Sequence, residues 1–228
     1  MPVRTDEYLR ISNELKNKAT LVAVSKTRSI EEIMQLYELG HRDFGENYVQ
    51  ELVEKHFLLP HDIRWHFIGH LQSNKVKYIA PFVHLVHGVD SYKLLLELNR
   101  QAARFKHRIN CLLQVHIAME ETKYGLNDTE LEELVEAIQR SSGSGELEHV
   151  KVRGLMGMAS FTDDGLEVRK EFKYLKGLYD LYSNVECPSC KFTTLSMGMS
   201  SDYRLALEEG TNMVRIGSAF FGPRETKL

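Results

Sequence analysis

The chain has 228 residues, 43% of them hydrophobic, and its 29 basic and 32 acidic side chains leave a net charge of −3. That near-balance excludes the basic footprint of a general nucleic-acid binder, and no apolar run is long enough to span a bilayer as a helix. The length can bury a sizeable core and no shift in composition marks a boundary, so residues 1–228 are expected to form a single domain.

The amino terminus, Met1-Pro2-Val3-Arg4-Thr5-Asp6-Glu7, lacks the apolar stretch of a secretory signal, which leads us to expect a soluble, cytoplasmic protein without membrane association. Residues 5–18 place Tyr8, Leu9, Ile11 and Leu15 at helical spacing and predict a helix lying against the body. Leu21-Val22-Ala23-Val24 then reads as a buried strand that delivers Lys26 to its end, followed by Ser29 and a helical pattern that ends at Gly40. Residues 42–47 read as a short strand and loop. Residues 48–59 read as a helix that buries Val49, Leu52, Val53 and Phe57 and stops at Pro60.

The rhythm continues through a strand at 63–68, a helix at 74–79 ended by Pro81, a strand at 84–89 and a helix at 92–105 with Leu94, Leu95, Leu98 and Ala102 inward. A long strand spans 109–117, and Asp128 is expected to cap a helix striped with Leu131, Leu134, Val135 and Ile138. Ser141-Ser142-Gly143-Ser144-Gly145 reads as a mobile loop. Strands at 152–158, 192–197 and 212–216 alternate with helices at 167–182 and 202–209. This alternation points to a (β/α)8 barrel preceded by an extra helix, with an open doubly wound sheet as the other reading.

In a barrel of parallel strands the carboxyl ends converge on one mouth. Lys26 lies there, and a lysine that is costly to desolvate needs a salt bridge, a phosphate or a carbonyl. The segments after the seventh and eighth strands, Ser196-Met197-Gly198-Met199-Ser200-Ser201-Asp202 and Ile216-Gly217-Ser218, offer hydroxyls, tight turns and backbone amides suited to a phosphate. A phosphate pocket opposite a strand-end lysine suggests a ligand with both a phosphate and a carbonyl, and pyridoxal 5′-phosphate fits.

The segments Val24-Ser25-Lys26-Thr27, Phe44-Gly45-Glu46-Asn47-Tyr48-Val49-Gln50-Glu51, Trp65-His66-Phe67-Ile68-Gly69-His70-Leu71-Gln72-Ser73-Asn74-Lys75, Leu195-Ser196-Met197-Gly198-Met199-Ser200 through Asp202, and Val214-Arg215-Ile216-Gly217 closely resemble the pyridoxal phosphate homeostasis protein family. The match runs in order over nearly the whole chain. Proteins of that family look like the barrel domain of alanine racemase without its second domain. The resemblance implies a barrel of that type, with Lys26 as the imine lysine, Ser200, Ser201, Gly217 and Ser218 around the phosphate, and Arg215 facing the pyridine nitrogen. It also implies that Asn47 and His66 line the pocket. One departure is His116, where the family often has asparagine. The implied role is non-catalytic: buffering of pyridoxal phosphate or its delivery to apoenzymes that depend on it, by a monomer or weak dimer. A racemase of the same fold is the alternative. In racemases a tyrosine from the second domain serves one face of the substrate carbon, and with the sequence running to Leu228 no such domain is expected here. A phosphate-ester barrel enzyme with Lys26 as a carbonyl-binding lysine is a third reading.

Three cysteines are too few for a disulfide framework. Cys187-Pro188-Ser189-Cys190 has dithiol spacing, yet it falls in a predicted loop without a second pair to complete a metal site. Lys123 is expected to be a solvated loop lysine near the mouth, and the scattered histidines include no His-x-x-x-His pattern on a helix.

Overall fold

In the computed structural model, which describes residues 3–120 and 124–222, the alternation closes on itself. The strands are β1 (Thr20–Val24), β2 (Asp43–Glu46), β3 (Arg64–Phe67), β4 (Leu85–Val89), β5 (Ile109–Val115), β6 (Val150–Gly157), the two-residue β7 (Glu186–Cys187), β8 (Cys190–Ser196) and β9 (Met213–Ile216). Parallel pairing runs from β1 through β6, passes from β6 to β8 and β9, and returns from β9 to β1, where Thr20 faces Met213 and Ala23 faces Ile216. This closed ring of eight parallel strands is the expected barrel and excludes the open sheet. Gly154, at φ +148, allows β6 to reach β8, because a Cβ there would lie 1.8 Å from the Thr194 carbonyl oxygen.

Side chains alternate between the two faces of each strand. Inward positions form a small apolar layer of Val22, Leu85, Leu112, Met156 and Met213. Outward positions meet the helices in one continuous core that extends from Val3 to Phe221 and includes Phe44, Trp65, Phe172 and Phe220. The helices are α1 (Thr5–Leu15), α2 (Ile30–Glu38), α3 (Val49–Leu58), α4 (Val76–Ile79), α5 (Tyr92–Arg104), α6 (Asp128–Ser144), α7 (Gly165–Tyr182), α8 (Tyr203–Glu208) and α9 (Ser218–Phe221). A 3-10 turn over Ser73–Lys75 opens α4. The extra amino-terminal helix docks by Tyr8, whose ring stands edge-on to Phe220 and His41.

The structure corrects several expectations. Phe57 is 74% exposed, because the buried stripe of α3 runs through Val49, Leu52 and Lys55. The cap of α6 is Asn127, in a reciprocal box with Glu130, rather than Asp128. The segment 141–145 is not a loop. The helix continues to Ser144 and ends on Gly145 in the left-handed region, and the buried Ser141 hydroxyl pairs with the Tyr92 hydroxyl at 2.5 Å. Cys187 and Cys190 are disulfide-bonded, since the β7–β8 hairpin places them opposite each other with Cα atoms 4.9 Å apart.

Candidate functional site

At the carboxyl ends of the strands lies a cavity of about 640 Å³, and seven of the eight residues singled out from the sequence line it: Lys26, Asn47, Ser200, Ser201, Arg215, Gly217 and Ser218. Val24, Ile68, Met158 and Phe161 give it apolar walls, and Arg28 is a charged lining residue that sequence reasoning missed.

Lys26 is presented by a braced turn. On its amino side, the Ser25 amide donates to the Gly45 carbonyl at 3.0 Å and the Ser25 hydroxyl donates to Glu46 Oε1 at 2.6 Å. On its carboxyl side, the Thr27 amide donates to Glu51 Oε1 at 2.6 Å. Lys55 Nζ ties these together by donating to the Ser25 carbonyl (2.8 Å), Glu46 Oε1 (2.8 Å) and Glu51 Oε1 (2.7 Å). Thr27 has φ 63, a conformation that costs a β-branched residue about 1–3 kcal/mol and persists only where the surroundings hold it. Burial pushes the Glu46 carboxyl up to about 7 against the opposing pull of Lys55 and Ser25, and Glu46 Oε2 is buried without a hydrogen-bond partner. Glu46, Glu51 and Lys55 went unassigned in the sequence. The available signal was a lysine at the i+3 position of an apolar stripe, after Val49 and Leu52, which is an unusual place for a charge without a partner.

Across the cavity, the β8–α8 turn passes through Gly198 at φ 95, and the Met199 amide donates to Asp202 Oδ1 at 2.6 Å, leaving Ser200 and Ser201 at the lining. The neighbouring turn after β9 is held close, for the Gly217 amide donates to the Ser200 hydroxyl at 3.3 Å. A Cβ on Gly217 would lie 2.8 Å from the Val24 carbonyl oxygen, so only glycine lets that backbone approach β1. Arg28 borders the same side, where Nη2 donates to the Gly222 carbonyl at 2.6 Å.

Arg215 is 4% exposed. Its Nη1 donates to the Ser196 carbonyl (2.9 Å) and hydroxyl (2.6 Å) and its Nη2 donates to the Gly157 carbonyl (2.9 Å). Burial lowers its pKa to about 10, so it remains a cation and a donor at neutral pH. Asn47 Oδ1 is buried without a hydrogen-bond partner. His66 does not line the cavity. Inward positions on a strand recur every second residue, so Ile68 takes the mouth and His66 lies one layer deeper, bonded to Asp43 and His87. His116 holds the Glu120 carbonyl at 2.9 Å, and Lys123 lies outside the described residues.

Comparison with known proteins adds the lineage. The family model for the alanine racemase N-terminal domain matches residues 5–225. A protein of Pasteurella multocida named pyridoxal phosphate homeostasis protein is 39% identical over 208 residues, covering 90% of this chain and 86% of that one. The structure of PipY from Synechococcus elongatus without PLP superposes with a TM-score of 0.85 at 32% identity, covering 95% of this chain and 99% of that one. The PLP-bound form of PipY gives 0.82 at 31% identity, with the same coverage of 95% and 99%. Alanine racemase from Streptomyces lavendulae gives a TM-score of 0.72 at 16% identity, covering 92% of this chain and 55% of that one, which is a likeness of fold alone. With matches of this extent to both sequence and structure, the chain belongs to the pyridoxal phosphate homeostasis protein family, whose fold is the alanine racemase N-terminal domain.

Proposed function

We propose that residues 1–228 act as one barrel that binds pyridoxal 5′-phosphate on Lys26 and serves its homeostasis by buffering or delivering it, with little or no turnover of amino acids. The observation that carries this reading is that Lys26, Arg215 and the two serine-rich turns open onto one cavity. When bound, the cofactor supplies an aldehyde that condenses with an amine and a ring that withdraws electrons from the carbon attached there.

The residues present fit such a group. The Lys26 amine would hold the aldehyde carbon, and its turn is braced on both sides. Hydroxyls of Ser200, Ser201 and Ser218 and the backbone at Gly217 would take the phosphate. The buried oxygen of Asn47 has an acceptor site that a ligand hydroxyl would satisfy. Arg215 would face the ring nitrogen as a hydrogen-bond donor.

Arg215 keeps its own proton at neutral pH and would donate to the ring nitrogen without stabilising positive charge on it, which does not by itself separate a carrier from a racemase. What favours the carrier is that racemisation needs proton-transfer groups on two faces of a substrate carbon. Among the described lining residues, Lys26 can serve one face, and no tyrosine, histidine, cysteine or carboxylate stands opposite. Tyr48 is 59% exposed and does not border the cavity.

The recipients we propose are apoenzymes that require this cofactor, and the working form a monomer or weak dimer. No helix among the described residues is long and apolar enough to cross a membrane. We propose a cytoplasmic setting, in which the Cys187–Cys190 disulfide of this structure would be open to reduction.

The test is spectroscopic and chemical. Purified protein loaded with pyridoxal 5′-phosphate should show the absorbance of lysine-bound cofactor. Hydride reduction followed by peptide mass spectrometry should place the cofactor on Lys26, and Lys26→Ala should lose the band while melting within about 1 kcal/mol of wild type, because this side chain lies outside the core. Attachment to another lysine such as Lys75 or Lys123 would remove the central assignment. Exchange of amino-acid α-protons in deuterated water at enzyme-like rates, lost in Lys26→Ala, would overturn the carrier reading.

A further inference from the structure

The barrel interior contains polar groups that the proposed cofactor contacts do not use. Beside the apolar layer runs a chain of buried hydrogen bonds from the floor of the barrel to its mouth. Asp43, the first residue of β2, accepts from Arg64 Nε at 2.7 Å and pairs at 3.1 Å with His66 Nε2. His66 Nδ1 lies 2.9 Å from His87 Nε2, His87 Nδ1 lies 3.4 Å from the Ser196 hydroxyl, and that hydroxyl accepts from Arg215 Nη1 at 2.6 Å. His66, His87 and Ser196 are at most 1% exposed.

We propose that His66 and His87 are positioning residues for Arg215, forming with Ser196 and Asp43 a one-way hydrogen-bond relay that fixes the guanidinium beneath the cavity. The inference rests on the reading of that cavity as a cofactor site.

The direction of the relay follows from its ends. A guanidinium can only donate, so Ser196 accepts from Arg215, which leaves its own proton available to His87 Nδ1. An ionised carboxylate can only accept, so His66 must carry its proton on Nε2. Burial pushes the Asp43 carboxyl up, but the hydrogen bonds from Arg64 and His66 outweigh it and hold the group well below the usual carboxylate range, so it is ionised. The 2.9 Å contact between His66 Nδ1 and His87 Nε2 needs one donor and one acceptor, and we assign the donor to His87 Nε2–H. With that assignment both rings are Nε2–H tautomers, and every donor points away from the mouth. Burial drives the His87 pKa well below 6.5, consistent with a ring that stays neutral. His84 also approaches His66, but the Asp43 oxygens already accept from Arg64 and His66, so the carboxylate terminates this chain rather than holding a cation.

Stability alone does not require this arrangement. Val22, Leu85, Leu112, Met156 and Met213 fill the rest of the interior, and apolar replacements for a buried polar network are often neutral. What the relay adds is orientation. Of the five N–H groups on Arg215, three are committed to Ser196 and Gly157, and the Ser196 hydroxyl holds its acceptor geometry because His87 takes its proton.

The test uses full-length protein and pyridoxal 5′-phosphate itself. His87→Phe keeps a ring in place and removes both hydrogen-bonding functions, whereas His87→Gln keeps one donor and one acceptor. His87→Phe is expected to raise the dissociation constant about tenfold or more and to shift the absorbance of the bound cofactor, while His87→Gln restores affinity to within about threefold. Affinity and spectrum unchanged in His87→Phe would overturn the proposal, and so would equal losses in the two variants, since the ring would then only fill space. A second measurement holds even if His87→Phe does not fold: nitrogen-15 spectra of ligand-free wild type should show both histidines as neutral Nε2–H tautomers. An Nδ1–H or doubly protonated ring at either position overturns the relay. If wild-type protein fails to take up pyridoxal 5′-phosphate at all, it is the cofactor reading that fails, and the tautomers decide the relay independently.

Discussion

Lys55→Met should destabilise the protein by an amount that grows with pH, and the brace behind Lys26 sets both the size and the slope. Lys55 Nζ makes three hydrogen bonds, to Ser25, Glu46 and Glu51, from a position 5% exposed. Losing those donors removes about 1–3 kcal/mol at any pH. The rest comes from Glu46. Its carboxyl is raised from an ordinary 4.5 to about 7 in the folded protein, so its contribution to stability is fully present below 4.5 and is lost as pH rises toward 7. In wild type the loss stops near 7, where the folded protein also releases the proton and Lys55 pairs with the anion. Without Lys55 the folded carboxyl holds its proton to higher pH, and each further pH unit costs about 1.4 kcal/mol. Urea melts should therefore show a deficit of about 2 kcal/mol near pH 6.5 and about 4 kcal/mol near pH 8.5. Adding Glu46→Gln to Lys55→Met should flatten that slope. A deficit below about 0.5 kcal/mol, or one independent of pH, would refute the reasoning, because it would mean that Glu46 is not held in the charge state that its burial dictates.

Two further outcomes are expected. Replacing Ser200 and Ser201 together with alanine should weaken binding of pyridoxal 5′-phosphate roughly ten- to a hundredfold without abolishing it, since each lost hydrogen bond is worth about 1 kcal/mol, or more toward a charged phosphate, and the backbone amides remain; titration followed by absorbance reads this, and unchanged affinity would place the phosphate elsewhere. His41 is lowered from 6.5 to about 4 by burial, so the unfolded chain takes up a proton first and stability falls as pH drops from 6.5 toward 4, by up to about 3 kcal/mol. His41→Phe should reduce the acid slope of the unfolding free energy by close to one proton over that window, and an unaltered slope would show that His41 is not the group that titrates.

Much of this fold was legible in the sequence because its signals are local. Apolar runs of strand length, helical stripes such as Leu94, Leu95 and Leu98, and stops such as Pro60 are properties of neighbouring residues, so the alternation and the placement of Lys26 at a strand end could be read directly. The mouth followed from topology, since the carboxyl ends of parallel strands share one face of a barrel. Seven of the eight expected site residues lie in or beside strand-end turns and line the cavity.

The remainder was decided by phase, register and packing. Phe57 fits a helical stripe in the sequence, but the rotation of α3 turns Lys55 inward and Phe57 toward solvent. The serine- and glycine-rich end of α6 has loop composition, yet burial of Ser141 against Tyr92 and a left-handed Gly145 carry the helix through it. Cys187 and Cys190 meet because a hairpin folds them together. His66 shows the same division most clearly. Its motif fixes its identity and its strand, but whether an inward residue meets ligand or interior depends on how far neighbouring strands are staggered around the ring. That stagger is set by pairing between segments distant in sequence, and here it places Ile68 at the mouth and His66 within the barrel, facing His87 and Asp43.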